Sequence, residues 1–219
     1  MSVYQQLRPD GRDCNQLRPL QVDLNPLTRS DGSAKVSAGS TTVIASVTGP
    51  VESKMHQQSI EILIRPSNGV PLEKHRLLEA QIAQILKEEI SVSSGFTVNI
   101  YCEILIDDGS VSSVVFNAIS LALIISGISL RSSPLSVCVA SVDGRVLLDP
   151  SLAEERKYLA TPTLAFDAVS GKVLGLIGNR SVSVFDALAL GSAAVAEILE
   201  VARAAFTSTL ASLALPRRP

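Results

Sequence analysis

The residues VVFNAISLALIISGISL, positions 114–130, decide how this chain is read. They are apolar around most of a helical circumference, so a helix here must be covered on nearly every side. Asn117, Ser120, Ser126 and Ser129 interrupt the run, and it is shorter than the ~20 apolar residues of a membrane span. The stretch is therefore predicted to be a fully buried helix, with no membrane as partner.

Working outward, Asp107-Asp108-Gly109-Ser110 leads into this helix from a β-rich run at 96–106, and Pro134 opens another β-rich run through 142. Further upstream, short strands are predicted at 20–24, 33–38, 41–48 and 59–64. Asp31-Gly32 and Gly39-Ser40 separate three of them, because glycine accepts positive φ, and an antiparallel meander follows. Ile60, Ile62 and Ile64 alternate with their neighbours and give the fourth strand an apolar face. Between this strand and 96–106, Leu77, Leu78, Ile82, Ile85, Leu86 and Ile90 recur at helical spacing behind Pro71, which predicts a helix over 72–90. Downstream, strands are expected at 145–148, 159–166 and 172–177, with turns at Asp143-Gly144 and Ser170-Gly171, and then an Ala-rich helix over 185–213. Strands then helix, twice over, predicts an α/β (α+β) fold of two related strand-helix halves forming one domain over 1–219.

Composition bounds the function. The chain of 219 residues is 46% hydrophobic but only 4% aromatic and lacks Trp, so its core must be built from Val, Ile, Leu and Ala. Such residues suit sheets covered by helices. The formal net charge of -2 argues against a broad nucleic-acid surface, which is usually basic, so any RNA contact must be local or shared with partner chains. Cys14, Cys102 and Cys138 are odd in number and lack CxxC spacing, which points away from a disulfide framework or a zinc site and towards reduced intracellular thiols. Met1 to Gln6 carry no secretory pattern.

Several separated motifs then converge. Arg8-Pro9-Asp10-Gly11-Arg12, Gln16-Leu17-Arg18-Pro19, Asp31-Gly32-Ser33-Ala34, Gly39-Ser40-Thr41-Thr42-Val43 and Gly49-Pro50 together resemble the opening signature of the RNase PH family. Cys102-Glu103-Ile104-Leu105 with Asp107-Asp108-Gly109, and Val142-Asp143-Gly144 with Leu147-Leu148-Asp149, resemble its two later blocks. Within the family, the short length and the Leu148-Asp149-Pro150 turn look most like ring subunits of the eukaryotic RNA exosome. The resemblance implies a duplicated fold, assembly with other RNase PH-like subunits into a ring around single-stranded RNA, and residence in nucleus, nucleolus and cytoplasm. A homodimer outside the ring is the alternative assembly.

The resemblance also assigns residues. Phosphorolysis brings inorganic phosphate to an RNA 3′ end, so two anions must be held by donors, positive charge and often Mg²⁺. Active relatives carry an arginine after the glycine turn that opens the buried helix. Here Ser112 stands in that place, and the loss of a guanidinium removes a charged, bidentate phosphate clamp. Backbone N–H groups of the helix start, with Ser110, Ser112 and Ser113, are the remaining candidates for holding phosphate. Asp149 and Glu155 match the family's acid spacing as candidate catalytic groups and Mg²⁺ ligands, with Glu154 adjacent; ordinary surface acids are the alternative for Glu154 and Glu155. Lys74, His75 and Arg76 are the candidate RNA contacts near a helix start. Lys54 and His56 are weaker channel candidates, and Arg8, Asp10 and Arg12 read as structural ion-pair partners. Two functions stay open: an architectural, RNA-guiding ring subunit, or an active phosphate- or Mg²⁺-dependent 3′ to 5′ nuclease.

Overall fold

A computed structural model describes residues 8–52, 59–91, 95–142, 145–157, 161–178 and 184–214. In chain order the elements are β1 (Leu20–Leu24), β2 (Gly32–Ala38), β3 (Thr41–Glu52), β4 (Ser59–Pro66), α1 (Glu73–Glu89), β5 (Phe96–Ile106), α2 (Val111–Ile125), β6 (Pro134–Val142), β7 (Arg145–Leu148), α3 (Leu152–Glu155), β8 (Thr163–Asp167), β9 (Val173–Ile177) and α4 (Val184–Ala214). Lys54, His56 and the Asp143-Gly144 turn lie outside the described residues.

The strands form a five-stranded sheet, ordered β1-β2-β3-β5-β4, and a four-stranded sheet, ordered β7-β6-β8-β9. β1, β2 and β3 make the expected meander. β4 departs from it, because it pairs in parallel with β5 at the sheet edge, and β5 lies between β3 and β4. The intervening α1 explains the difference: parallel neighbours need a crossover, and a helix supplies one.

Helix α2 packs on β2 and β3 on one side and on β6 on the other, so it fills the space between the sheets. Val114 through Leu123 are all buried, as its all-round apolarity requires. It starts and stops earlier than expected, at Val111 and Ile125, because the Gly127 turn follows directly. Of the buried polar residues of α2, Asn117 is satisfied across the layer: its amide donates to Ser136 O at 2.9 Å and its carbonyl accepts from Ser136 N at 2.7 Å. Helix α1 shares the layer, between β4 and β9. The long α4 covers the far face of the second sheet, where Gly191 lets it approach Phe166 and Leu164.

Gly32 has a different task from the one expected. It belongs to β2, and a Cβ there would lie 2.4 Å from Ala122 O and 2.5 Å from Ser126 N. Its lack of a side chain lets α2 sit directly on the strand, while the tight turn is left to Gly39, at φ +56°. No described helix is long and apolar enough to cross a membrane.

Candidate functional site

Two turns meet back to back where the halves join. Asp108-Gly109-Ser110 opens α2, and Asp149-Pro150-Ser151 opens α3. Gly109 has φ +91°, and a Cβ there would stand 2.4 Å from Leu152 N and 2.5 Å from Ser151 C, so only glycine permits the contact. Leu152 N donates to Asp108 O at 3.0 Å, and Ser110 Oγ donates to Pro150 O at 2.8 Å, which fastens one turn to the other.

Three arginines of the N-terminal segment hold the second turn from behind. Arg18 grips both carboxylate oxygens of Asp149, with its Nε 2.9 Å from Oδ2 and its second terminal nitrogen 2.7 Å from Oδ1. The Arg18 backbone N–H adds a third bond to Oδ2 at 3.0 Å. Arg8 makes the same kind of fork on Glu154, at 2.8 and 2.7 Å, and also donates to Leu148 O and Asp149 O. Arg12 pairs with Asp10 at 2.7 Å and donates to Gln16 O and Asp149 O. The expectation of structural ion pairs for Arg8, Asp10 and Arg12 describes this geometry. Burial by itself would raise the Asp149 and Glu154 carboxyls, but the Arg18 and Arg8 forks outweigh it and hold both below the usual range.

In front of the turns lies a cavity of about 520 Å³, lined among others by Lys74, His75, Ser110, Ser112, Cys138 and Glu155. It unites the start of α1, the start of α2 and the end of α3, three pieces distant in sequence. Glu155 receives the Ser110 backbone N–H at 2.7 Å, and burial raises its carboxyl above the usual range despite that bond. Lys74 stands at the rim, 3.9 Å from Asp107. The backbone N–H groups of Val111 and Ser112 make no hydrogen bond to another described residue, so the positive end of α2 opens into the cavity. Burial pushes the Cys138 thiol up to about 12, so at neutral pH it is an uncharged part of the wall.

The expected site residues separate into two groups. Lys74, His75, Ser110, Ser112 and Glu155 share the cavity. Asp149, Ser113 and Arg76 are not among its lining residues. Asp149 is not placed to pair with Glu155 on a metal ion, since both of its oxygens are taken by Arg18 and that cation adjoins the spot. Among the described residues no group of three or more His, Cys, Asp or Glu side chains could hold a metal. Glu154 is not a surface acid but a buried partner of Arg8. His75 caps α1: its Nδ1 accepts from Leu72 N at 2.9 Å, a bond that needs that nitrogen unprotonated. Burial, with Lys74 adjacent, lowers its pKa accordingly. Ser113 Oγ donates to Ser110 O at 3.2 Å and is a helix-start residue. Arg76 is exposed on α1 and makes no ion pair with a described residue. Arg18 is the residue that sequence reasoning missed: its signature motif was noticed, but no local pattern shows that it reaches Asp149 from across the chain.

Two sheets enclosing a helix whose N-terminus faces a cavity, backed by an arginine-held acidic turn, define an RNase PH-type domain. The chain belongs to the 3′ exoribonuclease family, whose domain 1 it matches over residues 16–129. It is 32% identical to the exosome complex exonuclease RRP46 homolog of Oryza sativa over 167 residues, 73% of this chain and 70% of that one. The Arabidopsis thaliana homolog of the same name is 32% identical over 177 residues, covering 76% and 73%. Among solved structures, rice Rrp46 superposes with a TM-score of 0.83 at 28% identity, covering 90% of this chain and 98% of that one. An Archaeoglobus fulgidus exosome with RNA bound to the active site shares the fold, with a TM-score of 0.74 at 22% identity over 89% and 92% of the chains.

Proposed function

We propose that this chain is a ring subunit of an exosome-type assembly, acting in 3′ to 5′ RNA processing and degradation by binding single-stranded RNA and completing the ring. The observation that carries this reading is the cavity at the start of α2, where unpaired backbone N–H groups and Ser112 face inward, Lys74 stands at the rim, and no guanidinium is among the described lining residues. Such a site favours one phosphate of an RNA end by hydrogen bonds and a helix dipole. The described lining residues lack the charge to hold a second anion beside it. Partners of the same fold are supported by the likeness to exosome subunits of two kinds, RRP46 homologs and archaeal Rrp41, the latter 32% identical over 165 residues, 65% of each chain.

A second reading is an active nuclease, as a homodimer or within the ring, and Glu155 favours it. A buried carboxyl that keeps its proton to higher pH is suited to protonating a departing 3′ oxygen. In that reading inorganic phosphate is the attacking co-substrate.

Labelled single-stranded RNA with a free 3′ hydroxyl, incubated with the purified chain with and without phosphate and Mg²⁺, separates the two. Saturable binding without release of nucleoside diphosphates is the expected result. Phosphate-dependent release makes the second reading correct, and no RNA binding, alone or with family partners, refutes both.

A further inference from the structure

We propose that Arg18, anchored by Asp149, is a positioning residue that aims the Ser110 amide into the cavity at the start of α2. The inference deepens the reading of that cavity as an anion site and rests on it for its functional meaning.

One peptide plane carries the argument. The C=O and N–H of a trans peptide point in opposite directions, and the bond between Gly109 and Ser110 is trans. On the rear side, the Gly109 carbonyl accepts from Arg18 at 3.0 Å and from Thr41 Oγ1 at 2.8 Å. On the front side, the nitrogen of the same plane, Ser110 N, donates to Glu155 Oε1 at 2.7 Å. Glycine at 109 sets no preference of its own between the plane's two orientations. The donors behind it do.

Arg18 suits this task because its guanidinium is immobilised. The fork on Asp149 uses Nε and one terminal nitrogen, and the terminal nitrogens then reach Gly109 O at 3.0 Å and Asp108 O at 2.8 Å. A lysine would supply one point charge and could not hold four acceptors in fixed directions. Asp149 thus works through Arg18, out of reach of anything in the cavity, and the N-terminal segment becomes part of the site without lining it.

The test uses the full chain labelled with ¹⁵N, comparing wild type, Arg18→Lys and the double variant Arg18→Met/Asp149→Leu. The double variant removes the buried ion pair altogether, and Arg18→Lys, which keeps Asp149 at its φ of +49° and the bond from the backbone N–H at position 18, covers the case in which the double variant does not fold. Hydrogen exchange at Ser110 is expected to accelerate about tenfold in both variants, the weight of one hydrogen bond, while Val114 and Phe116 in the same helix keep their protection. If Ser110 loses protection only in step with Val114 and Phe116, or not at all, Arg18 merely stabilises the fold and the inference is wrong. A second arm titrates inorganic phosphate and follows the Val111 and Ser112 amides. A weaker phosphate affinity in the variants, by about fivefold or more, is expected. If these amides ignore phosphate in wild type while Ser110 still loses protection in the variants, the positioning role stands and the anion reading of the cavity falls.

Discussion

Replacing Gly109 by alanine should be among the most damaging single-methyl additions to this chain, because the added carbon meets backbone on the facing turn. At φ +91° an L-residue costs ~1–2 kcal/mol. The Cβ would also lie 2.4, 2.5 and 2.7 Å from Leu152 N, Ser151 C and Pro150 O, none of which is the movable end of a side chain. Relief requires the turns to separate, which strains the Leu152 to Asp108 and Ser110 to Pro150 hydrogen bonds at ~1 kcal/mol each and loosens the Arg18–Asp149 grip. The sum is ~3–6 kcal/mol, and at ~2–4 °C per kcal/mol for a chain of this size the melting temperature should fall by ~10–20 °C. Gly127→Ala is the matched control: its φ is +76° but no atom lies within 4 Å of the added carbon, so only the conformational cost of ~1–2 kcal/mol applies. Thermal unfolding followed by circular dichroism, with urea titration as a check, measures both. Equal losses in the two variants would refute the close packing of the turns as the feature that builds the cavity.

Glu154→Ala should cost ~3–5 kcal/mol in urea unfolding by stranding buried Arg8, whereas Arg8→Met/Glu154→Leu should recover most of the loss. The carboxyls of Asp149 and Glu154 lie below their usual values in the folded chain, so the stability they add is complete above their unfolded range near pH 4. That stability is lost as pH falls below this range and through the folded values; the urea midpoint should therefore drop between about pH 5 and pH 2, and more gently in the Arg8→Met/Glu154→Leu variant. Lys74→Ala with Arg76→Ala should weaken RNA binding by a few-fold and flatten its dependence on salt, read by fluorescence anisotropy, since exposed cations contribute through released counterions. Ser112→Arg, which returns a guanidinium to the cavity, should tighten inorganic phosphate binding by about tenfold in calorimetric titration; an unchanged affinity would mean that position 112 does not face the anion.

Much of the fold was legible because its signals are local. The all-round apolarity of 114–125 forces burial, and glycine-separated alternation gives β1, β2 and β3. The placement of β4 was not legible, since its own residues do not say whether β3 or β5 will be its neighbour. The site was half legible for the same reason. Ser110, Ser112, Lys74 and Glu155 were found through the family resemblance, but Asp149 and Glu154 have the same acidic chemistry and different surroundings. What separates them is Arg18 and Arg8, which arrive from more than a hundred residues away in sequence.

The central claim is that the cavity between the starts of α1 and α2 receives an RNA 3′ end. Single-stranded RNA carrying a photoreactive base at its 3′ terminus, cross-linked to the chain alone and in the presence of a related ring subunit, tests it most directly when the joined peptides are sequenced. The account predicts cross-links from the terminal base to residues 74–81 and 110–112, lost when the same base is moved to the 5′ end. Cross-links confined to the outer face of the five-stranded sheet, or indifferent to the position of the base, would contradict it.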